Sequence, residues 1–163
     1  MTNDFRQIIL RELRAWQREL EAYPDERQIW ALPAGAVNSA GTLTLHVSGS
    51  LLHLIGAQLG ETGYIRDRDA EFADRDVPRA HLLRQLEQTM ATIDRVMGSL
   101  ERGAIDRPFP IPVGGRVLPT RLLLIHLCGH LSYHLGQVDY HRRLVTGDSR
   151  GVGALALAEL TPA

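Results

Sequence analysis

Four stretches of the chain carry apolar residues at the helical spacing of three and four. In the first, roughly Asn3 to Tyr23, Phe5, Ile8, Ile9, Leu13, Trp16 and Leu20 recur at that period, and Pro24 ends it. The second is expected from about Ala40 to Leu59, with Ser39 or Thr42 as its cap, Leu43, Val47, Leu51 and Leu54 as its stripe, and Gly60 near its end. The third runs from about Arg79 to Glu101 behind a first-turn proline, Pro78, with Leu82, Leu83, Leu86, Met90, Ile93, Val96 and Leu100 inward. The fourth begins after Pro119 and continues to about Val145.

The connections order these helices. Between the second and third lies ETGYIRDRDAEFADRDVP, charged and without sustained periodicity. It is too long for a tight antiparallel turn, so the second and third helices are expected to run in the same direction. Before the fourth, Gly114-Gly115 predicts a small hairpin. The segment after the fourth helix is expected to dock on the helices or on a second subunit. The prediction is one all-α domain over residues 1–163, a four-helix bundle with a long crossover.

Composition narrows the function classes. Lys plus Arg is 18 against 19 for Asp plus Glu, a net charge of -1, which gives no basic footprint for nucleic acid. No apolar run approaches the ~20 residues of a membrane span. The segment MTNDFRQIIL carries charges where a secretory leader needs apolar residues, and Cys128 is the only cysteine, so a cytoplasmic protein without internal disulfides is expected.

Histidines supply the candidate chemistry. Of the seven, His126, His130, His134 and His141 fall on the fourth helix, and His46 and His53 on the second. Residues four apart share a helix face, so His130 and His134 can chelate one ion. His126 and His130 have the same spacing. The stripe Leu124, Leu127, Leu131, Leu135 and Val138 decides between the pairs: His134 falls within it, His130 at its edge and His126 farther round. A third ligand would come from the second helix, from His46 or His53; geometry leaves that choice open. Three protein ligands with an open fourth position suit a catalytic divalent metal. Gln137, one turn past His134, and Tyr64, Arg66 and Asp67 in the crossover are candidate supporting residues. Arg66 or Arg68 would suit a substrate carboxylate. Cys128 and Tyr133 read as packing residues, and Trp16 and Trp30 as core or loop anchors.

The segment HLSYHLGQ, His130 to Gln137, resembles the last-helix signature of the DinB/YfiT-like superfamily of metalloenzymes. Leu43 to Phe72 is similar to a DinB-related bacterial branch. The resemblance implies an up-down-down-up bundle and a metal, often nickel or zinc, on three histidines. By position these are His46, in the TLTLH context, His130 and His134, which selects His46 over His53. It also implies a homodimer acting on a small molecule, as a hydrolase or as a transferase using a low-molecular-weight thiol. The competing expectation is a non-catalytic metal-binding stress-response or interaction module.

Overall fold

The computed structural model describes residues 2–161. Among them the chain is mostly helical and no strand occurs. Helix α1 spans Thr2–Glu21, and the segment Glu26–Trp30 is a short 3-10 turn. Helix α2 starts at Ala40–Leu51, widens into a π-helical stretch over Leu52–Ala57 and closes with Gln58–Gly60. The crossover holds a short helix, α3, Arg68–Ala73, followed by α4, Arg79–Ser99, and α5, Thr120–Thr146.

The caps follow from local chemistry. Ser39 has extended backbone, and its hydroxyl accepts from the Thr42 N–H at 3.1 Å, satisfying one of the orphan donors at the start of α2. Gly60 is the last helical residue of α2, and the left-handed residue is Glu61 (φ 48°), one beyond it. Gly60 is needed for packing instead, because a Cβ there would collide with the Val96 side chain. Gly114 (φ 58°) and Gly115 (φ 74°) make the expected reversal before α5, with paired Val113–Arg116 backbone hydrogen bonds. The reversal is held by isolated bridges, Val113 with Arg116 and Pro108 with Pro119, rather than by a ladder of strands.

One hydrophobic core draws on all four long helices, including Leu13 and Trp16 of α1, Val47 and Leu51 of α2, Leu86 and Ile93 of α4 and Leu127 and Leu131 of α5. Every residue of Ala40–Leu51 is buried, so α2 is covered on all sides. Near the start of α1, Arg6 bonds Asp94 near the end of α4, while Arg79 at the start of α4 reaches the Tyr23 carbonyl just past α1. Trp16 donates its indole N–H to the Thr44 hydroxyl at 2.8 Å, joining α1 to α2 through the interior. Trp30 packs flat over Gly41, where a Cβ would sit 2.6 Å from its ring, and donates to the Val77 carbonyl.

The segment after α5 docks along α1 of the same chain. Arg18 donates to the Val152 carbonyl at 2.8 Å and pairs with Glu159, and Thr161 N–H donates to Gln7. Its anchor at α5 is Arg142, 1% exposed, which bonds the carbonyls of Asp148 and Arg150 and the carboxylate of Glu19. No helix among the described residues is long and apolar enough to cross a membrane.

Candidate metal centre

Helix periodicity brings His46, His130 and His134 together. On α5, Leu124, Leu127, Leu131, Leu135 and Val138 are all buried, which fixes the rotation of the helix and carries His130 and His134 to the edge of that buried face. His46, 9% exposed, comes from the first half of α2. The Nε2 atom of His130 lies 3.2 Å from that of His46 and 3.1 Å from that of His134. Among the described residues these three form the group of His, Cys or acidic side chains whose ligand atoms all lie within 4.8 Å of one another.

The opposite ring nitrogens determine what the Nε2 atoms can be. His46 Nδ1 sits 3.1 Å from Glu71 Oε2, a carboxylate that can only accept when ionised, so Nδ1 carries the proton. His134 Nδ1 sits 2.6 Å from Gln137 Oε1 and carries the proton likewise. Both Nε2 atoms therefore present lone pairs toward His130 Nε2, which has at most one proton to share. Burial, and then the neighbouring His134 and His46, push the His130 pKa down to about 4, and burial lowers that of His46 against the opposing pull of Glu71. Three imidazoles whose Nε2 atoms converge in this way could hold a divalent ion. Tetrahedral Zn–N bonds of ~2.0–2.1 Å place neighbouring nitrogens roughly 3.3 Å apart, close to the separations seen here.

Behind the ligands stands a second set of groups. Arg66 donates to both oxygens of Glu71, at 2.6 and 2.8 Å, and fixes the carboxylate that receives His46. Glu71 comes from α3, whose first turn is capped by Asp67 accepting from Ala70 N–H at 2.9 Å. Close approach of α3 to α2 requires Gly49, since a Cβ there would overlap Glu71 Oε1. Phe72 packs 4.9 Å from the His46 ring, and the Arg68 guanidinium lies 5.1 Å from the Phe72 ring centroid. His130 is braced by His126, whose ring stacks at 6.0 Å with a 24° tilt.

Several expectations change at this point. Arg66 is engaged by the protein's own carboxylate, Glu71, and Asp67 is a helix cap. His53 stands seven residues beyond His46, ~10 Å along the axis, and does not join the cluster. His126 is exposed and supports from outside, while His81 is exposed on the first turn of α4. His141 is buried elsewhere: it donates from Nε2 to the Ala31 carbonyl and accepts from the Tyr23 hydroxyl at Nδ1, both at 2.7 Å. Burial pushes the Cys128 thiol up to about 11, as suits a packing residue. Glu71 went unread in the sequence. Its only local signal is the spacing Arg66-x4-Glu71 in a charged stretch, and that stretch carries no period.

No family model, curated protein or solved structure matches the chain.

Proposed function

We propose that the chain is a DinB/YfiT-like metal-dependent enzyme, holding one divalent ion, nickel or zinc, on His46, His130 and His134 and acting on a small molecule. The observation that carries this reading is the convergence of three imidazole Nε2 atoms, two of them with tautomers fixed by Glu71 and Gln137. The arrangement proposed for α1, α2, α4 and α5 is an up-down-down-up bundle. It is supported by the Arg6–Asp94 and Arg79–Tyr23 contacts, which set the start of each helix beside the end of the other. The Arg142–Glu19 contact adds support by setting the end of α5 beside the end of α1.

A divalent ion at such a site lowers the pKa of a bound water or thiol and polarises a carbonyl. The protein's own groups prepare for that. Glu71 and Gln137 hold the Nδ1 protons of His46 and His134, so the rings keep their orientation and their Nε2 lone pairs. Arg66 compensates the Glu71 charge and keeps the carboxylate from turning away. Phe72 covers one side of His46 and limits water there. A ligand set of three, with no carboxylate or further histidine completing it among the described residues, favours hydrolase or thiol S-transferase chemistry over a closed structural site. A cytoplasmic homodimer belongs to the same proposal; sedimentation velocity on the purified chain reads its mass.

The decisive experiment is elemental analysis of protein grown in metal-replete medium, beside His130→Ala. About one nickel or zinc per chain, absent from the variant, is expected. A metal-free wild type under those conditions overturns the reading. A panel of low-molecular-weight thiols and activated esters then separates transfer from hydrolysis, and inactivity on every member with metal bound favours the non-catalytic module.

A further inference from the structure

A groove of about 380 Å³ lies between the loop of residues 33–38 and the C-terminal half of α5. Its walls include Pro33, Val37, Tyr140 and Leu144, and Leu43 and Gln137 also line it. Val37 is 87% exposed, and Tyr140 and Leu144 are each 69% exposed. Large apolar side chains left this open around one concavity mark a binding surface. No Asp, Glu, Lys or Arg lines it. The buried ring of His141 also borders the groove, but both its nitrogens are occupied by Tyr23 and Ala31, so it offers an uncharged surface.

The groove lies beside the histidine cluster along both ligand-bearing helices. Leu43 precedes His46 by three residues on α2, and Gln137 follows His134 by three on α5. On both ligand-bearing helices the groove therefore begins about one turn, roughly 5 Å of axial rise, from the converging nitrogens. Gln137 belongs to both places. Its Oε1 receives the His134 Nδ1 proton, while its amide nitrogen makes no hydrogen bond among the described residues.

We infer that this groove is the subsite for an uncharged alkyl or aryl group of the substrate, whose polar head sits at the three histidines while the Gln137 amide N–H donates to a carbonyl or amide oxygen between them. The inference deepens the metal-site reading and rests on it. It gives Gln137 two tasks, positioning His134 and recognising the substrate. It also makes chain length the specificity variable.

The test uses cobalt(II)-loaded protein and the series acetohydroxamate, butyrohydroxamate and hexanohydroxamate, with affinity read from the cobalt absorption spectrum. The hydroxamate reports on the metal and the alkyl chain on the groove. Affinity is expected to rise about two- to fourfold for each added methylene. In Val37→Asp and Leu144→Asp, both at exposed positions, the dependence on chain length should collapse. In parallel, hexanamide added to metal-free protein should shift the methyl resonances of Val37, Leu43 and Leu144. Normal acetohydroxamate binding with no chain-length dependence overturns the groove and leaves the metal site standing. So does a dependence that survives both variants. Failure to load cobalt overturns the metal-site reading, and the hexanamide titration then decides the groove alone: no methyl shift overturns it.

Discussion

Glu71 and Gln137 make different demands on the two histidines they hold. Glu71 is buried, held in a fork by Arg66, and shielded from competing water, whereas Gln137 is exposed. Losing an outer-shell partner of a metal-bound histidine typically costs ~10–100-fold in metal affinity. Glu71→Gln removes the charge and the unambiguous acceptor, and should fall near the upper end of that range by competition with a chromophoric chelator. Gln137→Ala should fall near the lower end, because water can replace an exposed acceptor. Equal affinities for wild type and Glu71→Gln would show that the carboxylate does not position His46. Gly49→Ala tests the close approach of α3 to α2. The added methyl would overlap the Glu71 carboxylate and crowd its Cγ, so the side chain must leave its buried fork with Arg66, which outweighs the ~1 kcal/mol by which alanine is favoured over glycine in a helix. The variant should therefore melt at a lower temperature and lose metal affinity as Glu71→Gln does. A variant with unchanged stability or unchanged affinity would contradict this.

At the scale of elements, most of α1 and α5 was readable from periodicity because their cores are apolar and regular. Ile9, Leu13, Trp16 and Leu20 are all buried as the three-and-four spacing of α1 predicts. The same helix also buries Glu12 and Glu19 completely, which no hydrophobic pattern announces. Glu19 is inside because Arg142, 123 residues later, meets it at 2.5 Å. Burial raises the Glu19 pKa and Arg142 opposes that; a contact this short with a guanidinium favours the ionised acid. Such pairing is a product of the assembled helices and has no local signature. The crossover hides its information in the same way. Read as irregular, it contains α3, six residues long, whose Glu71 acquires meaning only against Gly49 and His46 of α2. The cluster itself was legible because two of its members share one helix face four residues apart, but the third needed the resemblance to single out His46. Arg142→Leu tests the buried pair. Leaving Glu19 buried without its partner should cost ~3–5 kcal/mol, measurable by urea denaturation. The double variant Glu19→Leu/Arg142→Leu should recover much of that loss. A single variant as stable as wild type would mean that Glu19 is already protonated in the fold.

For the whole molecule, the histidines link stability to protons and, on the proposed reading, to metal. His46, His130 and His141 all have folded pKa values below the ordinary imidazole value of 6.5, each chiefly through burial. Between pH 6.5 and the lower folded values, the unfolded chain binds more protons than the folded one. Stability of the metal-free protein must then fall as pH drops through that window, from a plateau above it. The slope approaches ~1.4 kcal/mol per pH unit for each histidine still neutral in the fold. Urea midpoints between pH 8 and pH 5 measure it, and a flat profile would place protons on these rings in the native state. Metal acts in the opposite sense. An ion at 100 times its dissociation constant adds ~2.7 kcal/mol when it binds only the folded state, which for a chain of this size corresponds to roughly 5–10 °C in melting temperature. Chelator treatment should lower the melting temperature by that amount, and nickel or zinc should restore it. In His130→Ala, addition or removal of metal should leave the melting temperature unchanged, because two imidazoles cannot hold the ion at those concentrations. If the variant responded like wild type, the ion would have to bind elsewhere, and the convergence of His46, His130 and His134 would need another explanation.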